Sequence, residues 1–461
     1  MPLQLIAPRV QPPLDEGFRP AVLANRNFLR EAESAGVRLV LGLERSSSEF
    51  SRFETKVLPV GHPNFEENYQ FIERIVKFLL WQRGGHMLYV GGSSKIADHL
   101  KKLYSKNGAR SFDYQFMGEQ VYEKDFSVIS CDVDKVPASR EMGKLLGRNL
   151  NGNRIGFDLG ASDRKVSAVV DGNPIYSEEV IWEPRKYADP EYHYREVMTA
   201  LKTAASKMPR VDAIGGSSAG IYIDNRPMVA SLFRGIPQER FDGIKNMFMR
   251  MRDELGVPLE VINDGDVTAL AGSMSIEDNA VLGIALGSSE AAGYVNIEGH
   301  IMGWLNELAF APIDYSPNAP ADEWSGDQGV GAMYFSQQCV FRLAPKAGIE
   351  IPFDVTDAEK LKCVQEKLEA GHEGALKIWQ SMGVYLGYGI AHYADFYDTK
   401  HVLILGRCTS GRGGDLLIEG AKKVFEAEFP ELLKKIELHL PDEKVRRVGQ
   451  SVAAASLPVI H

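Results

Sequence analysis

The sequence predicts an α/β fold of two similar lobes preceded by a smaller α/β region, on three observations. From residue 153 onward, short apolar strands alternate with amphipathic helical stretches. A β-hairpin pattern opens that part of the chain, with residues 154–159 and 165–170 as its arms and Asp171-Gly172-Asn173 as the next turn. Several strands then run out into turns of glycine, serine or acidic residues, the edge at which open α/β sheets gather ligands.

Taken in chain order, residues 1–20 are rich in proline and read as an extended surface segment. From Asn68 the apolar residues Phe71, Ile72, Ile75, Val76, Phe78, Leu79 and Leu80 recur at helical spacing, and Gly84-Gly85 ends that helix. Residues 86–91 read as a strand. Ser93 or Ser94 caps a following helix with Ile96, Leu100 and Leu103 on one face. Another strand is expected within residues 111–117. Past the hairpin come a helix over 191–207, a strand over 211–214, a helix over 237–255 and strands over 259–262, 281–286 and 293–299. The last third is expected to be helical apart from a strand at 402–405. The expected divisions are an N-terminal α/β extension, 1–152, a first lobe, 153–280, and a second lobe with a closing helix, 281–461.

Composition narrows the function class. The chain is 44% hydrophobic and 25% charged with a net charge of -10, which gives no general attraction to nucleic acid or anionic lipid. Residues 1–150 hold 21 Lys and Arg against 18 Asp and Glu, a mild basic bias that reads as a solvated surface. Cys131, Cys339, Cys363 and Cys408 are scattered without C-x-x-C spacing, so neither a disulfide framework nor a zinc knuckle is expected. No run approaches 18 apolar residues, and prolines stand where a signal peptide needs an apolar helix; a cytoplasmic setting is expected.

Four segments carry candidate chemistry. The first is 158–165, Asp-Leu-Gly-Ala-Ser-Asp-Arg-Lys. Gly160 and Ser162 suit a turn that presents N–H groups to a triphosphate, Asp158 at a strand end can hold Mg²⁺ through water, and Lys165 can pair with a phosphate. The same residues would also make an ordinary polar hairpin turn. The second is Asn263-Asp264-Gly265-Asp266, where an apolar strand delivers two carboxylates to its C-terminal end. A carboxylate there can accept the proton of an attacking hydroxyl, with Asn263 holding a neighbouring hydroxyl; alternatively, Asp264 or Asp266 caps the helix that follows. The third, Gly287-Ser288-Ser289, offers backbone amides to a phosphate. The fourth, Gly406-Arg407 and the glycines up to Gly414, leaves a strand and can lie flat against a nucleobase.

The order of these segments resembles the ROK family (repressors, open reading frames, kinases), sugar kinases of the actin-like ATPase superfamily with a ribonuclease H-like fold. The resemblance covers residues 153 to about 458. It implies ATP and Mg²⁺ as cofactors and phosphorylation of a sugar or polyol hydroxyl. Substrate would lie in the cleft between lobes, with Asp264 as general base. Nucleotide contacts would come from Asp158, Gly160, Ser162, Lys165, Gly287, Ser288, Ser289, Gly406 and Arg407. Asn306-Glu307-Leu308-Ala309-Phe310 stands where the family has G-E-x-G-H, which makes Glu307 a sugar contact. The departures are specific. Phe310 replaces the family's zinc-binding histidine. Glu323, Ser325 and Val330 replace its cysteines, so no zinc is expected. The family's second sugar-binding Glu falls at Ala332. A homodimer would be ordinary for the family. The alternatives are a sugar-sensing protein that has lost transfer, and a ROK-type transcriptional regulator. DNA binding is disfavoured because a strand separates the two N-terminal helices and no dense basic helix follows.

Overall fold

The computed structural model describes residues 2–141, 146–160, 163–440 and 443–460. The chain gathers into two compact units that are each discontinuous in sequence. The first comprises Met1–Met142, Ile284–Ala292 and Trp304–Leu440; the second comprises Gly143–Gly283, Gly293–Gly303 and Pro441–His461.

The first unit opens with the helix Ala21–Ala35, then β1 (Val37–Glu44) and β2 (Phe50–Val57), the helix Glu67–Arg83, β3 (Met87–Gly91), the helix Ser94–Leu103 and β4 (Ser127–Cys131). The sheet order is β2-β1-β3-β4, with β1 antiparallel to both neighbours and β3 parallel to β4. Of the two serines expected to cap the next helix, Ser93 does so, accepting from the Ile96 amide. The helix Glu67–Arg83 is buried almost all round, so it acts as a core element rather than a surface one. Phe71 stacks on Phe28, while Phe78 stacks on Phe396 and Trp81 meets Phe310, both late in the chain.

Burying that helix also buries its charges, which are neutralised locally. Lys77 Nζ lies 2.7 Å from Asp113 and 3.4 Å from Asp327, and Arg110 bridges Glu73 at 2.6 Å and Asp327 at 2.7 Å. Asp113 accepts a further bond from the Trp81 indole N–H at 2.7 Å. The strand expected within 111–117 is not formed. Ser111–Gln115 is α-helical and Phe116–Tyr122 continues as a π-helix. Phe112, Tyr114 and Phe116 alternate as a strand would, but Phe112 and Phe116 stack one helical turn apart beside Trp81.

The second unit is built on a five-stranded sheet. It contains β5 (Asn153–Leu159), β6 (Asp163–Val170), β7 (Asn173–Ile181) and β8 (Ala213–Ser218). After the short hairpin of β9 (Ile221–Ile223) and β10 (Arg226–Val229), β11 (Leu259–Asn263) completes the order β11-β8-β5-β6-β7. The expected β5–β6 hairpin is present in register, and β8 runs parallel between β5 and β11. The helix Pro190–Ala205 covers this sheet through Val197, Met198, Leu201 and Ala204. The expected single helix over 237–255 is broken into Gln238–Arg240, Asp242–Lys245 and Met247–Leu255.

The remaining strands are β12 (Val281–Leu286), β13 (Glu290–Val295), β14 (His401–Leu405) and β15 (Glu437–His439), in the order β13-β12-β14-β15. The boundaries expected at 152 and 280 are replaced by the discontinuous ones above. The N-terminal region shares a core with residues 304–440. The closing helix Glu443–Ala455 belongs with β5 and β8 of the second unit rather than with the second lobe. The reason is steric: a Cβ at Gly156 would lie 1.9 Å from Ser451 O and one at Gly215 would lie 1.7 Å from Ala454 O. Only glycine admits so close a backbone approach. Among the described residues, no helix is long and apolar enough to cross a membrane.

Candidate functional site

Within the second unit, three neighbouring parallel strands bring polar residues to one edge. Asp158 on β5 pairs in register with Ser217 on β8, and Ser218 pairs with Asn263 on β11. The Ser217 hydroxyl donates to Asp158 Oδ1 at 2.7 Å. Asp158 and Asp264 therefore flank the end of β8, each half-buried. Burial raises the Asp158 carboxyl above the usual range, opposed by the Ser217 bond and the Lys165 charge. Asp264 is pushed up to about 6, by burial first and by the Asp158 charge second.

The local fold explains how Asp264 is held. Asn263 is the N-cap of the helix Asp264–Ile276: its Oδ1 accepts the Gly265 amide at 2.7 Å and its Nδ2 donates to Gly220 O at 2.7 Å. Asn263 thus caps the helix, leaving Asp264 as the first helical residue, where the helix dipole favours negative charge. Asp266 is buried and takes a structural contact, accepting the Tyr294 amide at 3.1 Å. Gly293 lies against this turn, since a Cβ there would come within 2.1 Å of Gly265 O.

The other residues expected in this unit are less committed to a site. Gly160 donates its amide to Asp163 O at 3.0 Å and accepts the Trp182 indole at 2.8 Å. Lys165 lies opposite Asp158 across the β5–β6 ladder but reaches Asp163 at 3.5 Å and Glu179 at 4.0 Å. Ser162 lies outside the described residues. Two groups escaped the sequence reading. Ser217 follows only a pair of glycines, and Tyr222 donates to Ser218 Oγ at 2.7 Å. Burial drives the Tyr222 phenol up, with the Asp264 charge adding to it.

The first unit holds the remaining expected residues. Gly287, Ser288 and Ser289 form the tight turn from β12 to β13, with the Gly287 amide on Ser289 O at 3.0 Å and both serines exposed. Gly406 leaves β14 at φ 98°, and a Cβ there would stand 2.5 Å from Leu286 O. Arg407 is exposed, and its carbonyl accepts from Gln365. Gly413 gives way to the Trp379 indole, whose N–H donates to Cys408 O at 2.9 Å. Glu307 is half-buried and its backbone is fixed by the N-terminal region. Its amide donates to Trp81 O at 3.0 Å, and the Asn306 amide donates to Gln82 O at 2.9 Å, so the last turn of the helix Glu67–Arg83 holds this loop.

Beside Glu307 is a carboxyl that no motif marked. Glu290 is 3% exposed, accepts the Tyr393 hydroxyl at 2.8 Å through Oε1, and has Oε2 buried without a hydrogen-bond partner. Burial, reinforced by the Glu307 charge, pushes it up to about 8, so it is chiefly protonated at neutral pH. Where the resemblance would put zinc ligands the side chains do other work. Phe310 packs on Trp81 and Trp324 at 4.4 and 5.2 Å between ring centroids, Ser325 donates to Asp322, and Val330 is buried. That donor set does not fit a sulfur-rich tetrahedral site. Asp327, in the same segment, is gripped by Arg74, Lys77 and Arg110 of the N-terminal region.

No protein-family model and no curated protein matches the chain. Solved structures do. A ROK family glucokinase from Streptomyces griseus, in complex with glucose and AMPPNP, matches with a TM-score of 0.50 at 19% identity, covering 66% of this chain and 98% of that one. A ROK family transcriptional regulator, a homologue of the E. coli MLC protein, matches at 0.50 and 17% identity, covering 67% of this chain and 78% of that one. The ROK hexokinase from Thermus thermophilus gives 0.49 at 17%, covering 66% and 97%. At these identities the likeness is one of fold: the chain shares the α/β fold of these structures.

Proposed function

We propose that this protein transfers a phosphoryl group from ATP to a hydroxyl of a sugar or polyol, with Asp264 as general base. The observation that carries the reading is the pair of carboxylates at the ends of β5 and β11, one of them pushed up to about 6. A base is most effective when its pKa lies near the working pH, because it is then both ionised and basic enough to take a proton. Asp264 Oδ would accept the proton of the attacking hydroxyl, while Asn263 and its helix cap fix the carboxyl's direction. Two half-buried carboxylates with raised pKa values suit a divalent cation. Asp158, with Ser217 beside it, offers the oxygen donors that magnesium prefers and would hold Mg²⁺ through water. Mg-ATP, when bound, supplies the phosphoryl group and neutralises its charge. The roles expected of Gly160, Ser162, Lys165, Glu307 and the turns at Gly287 and Gly406 belong to the same proposal and rest on their motifs.

The test is ADP release with Mg-ATP over hexoses, amino sugars and polyols, run beside Asp264→Asn. At least one acceptor should give release that falls about a hundredfold or more in the variant. No acceptor exceeding the variant's background would defeat the proposal. A second reading, sugar binding without transfer, is favoured by Ser289, Ala291, Ala292 and Ala332 at positions where the family has glycines or a glutamate. It predicts saturable sugar binding with no acceptor-dependent ADP release.

A further inference from the structure

A cluster of metal-ligating side chains stands in the first unit at the outer edge of its last sheet. β14 and β15 pair in parallel, with His401 opposite Glu437 and Leu403 opposite His439. Side chains alternate along a strand, so Glu437 and His439 share a face, and the register puts His401 on that face too. The result is compact: His401 Nδ1 lies 3.0 Å from His439 Nε2, and Glu437 Oε2 lies 3.8 Å from the first and 3.9 Å from the second.

We infer that His401, Glu437 and His439 form a binding site for a borderline divalent transition-metal ion such as Zn²⁺, Ni²⁺ or Co²⁺. A tetrahedral ion about 2.1 Å from each ligand needs donor atoms about 3.4 Å apart, and the three observed separations bracket that value. Two imidazoles and a carboxylate select such ions over Mg²⁺ or Ca²⁺, which prefer all-oxygen sites. At 3.0 Å the two imidazole nitrogens can share one ring proton; metal binding would shift that proton to the other nitrogen of its own ring, with no net proton lost. His401 is almost wholly buried while Glu437 is exposed, so an ion can enter from solvent and a water can complete the fourth position. His401 begins β14, whose far end leads to Gly406 about 17 Å away, so the site is separate from the nucleotide turn proposed there. Its effect would be to clamp the short edge strand β15 onto β14.

The experiment uses the full chain without an affinity tag, stripped with chelator and titrated with Co²⁺, with Zn²⁺ as competitor. The expected result is one equivalent of Co²⁺ bound with the visible absorption of a low-coordinate nitrogen–oxygen site, displaced by Zn²⁺. Glu437→Ala and His439→Ala should each weaken binding at least about tenfold, while His62→Ala leaves it unchanged. Glu437 is exposed, so its variant stays folded even if the histidine variant does not. Absence of stoichiometric Co²⁺ binding, or binding unaffected by Glu437→Ala, would overturn the assignment.

Discussion

The proposed role of Asp264 as general base is tested by the pH dependence of turnover. A general base works only when ionised, so its ionised fraction sets the acid limb of kcat/KM. With the carboxyl at about 6, that fraction is about nine-tenths at pH 7, one half at pH 6 and about one-tenth at pH 5. kcat/KM for the best acceptor, measured by coupled ADP release, should therefore fall about tenfold between pH 7 and pH 5. An ordinary aspartate, near 3.9, would leave activity almost level over that interval. Asp158→Asn removes the second cause of the shift, so in its residual activity the limb should move to lower pH. The same shift acts on stability with a definite sign. The folded state holds this proton more tightly than the unfolded chain, so stability falls as pH rises from about 4 to about 6 and is level above. The cost of ionising Asp264 is at most about 3 kcal/mol, reduced by partial exposure to solvent. Asp264→Asn should thus melt a few degrees higher than the parent at pH 7.5 while turning over at least about a hundredfold more slowly. An acid limb centred near 4, or a variant with near-parental turnover, would refute the assignment of Asp264 as the base.

Three further outcomes are expected. Lys77→Met leaves Asp113 and Asp327 short of a buried cation and should cost about 3–5 kcal/mol in chemical denaturation, with Lys77→Arg milder. Glu290 has a folded pKa raised to about 8, so its contribution to stability declines as pH rises from about 4.5 to about 8. Glu290→Gln should therefore gain on the parent by a few kcal/mol at pH 8.5 and lose that advantage by pH 5, read from urea midpoints at each pH. Gly293→Ala drives a methyl into Gly265 O at the turn that carries Asp264. It should cost about 1–3 kcal/mol and lower kcat/KM more than a surface Gly256→Ala control.

What the sequence made legible follows the range of the forces involved. The β5–β6 hairpin, the strand into Asn263-Asp264 and the Ser93 cap are governed by neighbours within a few residues, and each lies where the pattern put it. The segment 111–117 misled because alternating aromatics satisfy a strand period while packing as helical i,i+4 pairs beside Trp81, a partner some thirty residues away. The closing helix was misassigned for the same kind of reason: Gly156 and Gly215 read as ordinary strand glycines until the helix that presses on them is known. Glu290 was unreadable because its chemistry comes from Tyr393 and Glu307, and no local spacing marks a carboxyl as buried. Of the candidate residues, Asp158, Asn263 and Asp264 were singled out by the rule that ligands gather at strand ends, and the structure brings them to one sheet edge, whereas their neighbours Ser217 and Tyr222 carry no such signature.

The interleaving of Met1–Met142 with Trp304–Leu440 has a consequence for biosynthesis. At about 5–20 residues per second, a ribosome needs roughly 10 to 30 s to make the stretch that separates these partners. Throughout that wait the helix Glu67–Arg83 has emerged with Phe78 and Trp81 lacking Phe396 and Phe310, and Lys77 and Arg110 lacking Asp327. A chain that stops before residue 304 thus leaves these apolar rings and buried charges without their folded-state partners, the kind of exposed surface that makes intermediates prone to aggregate.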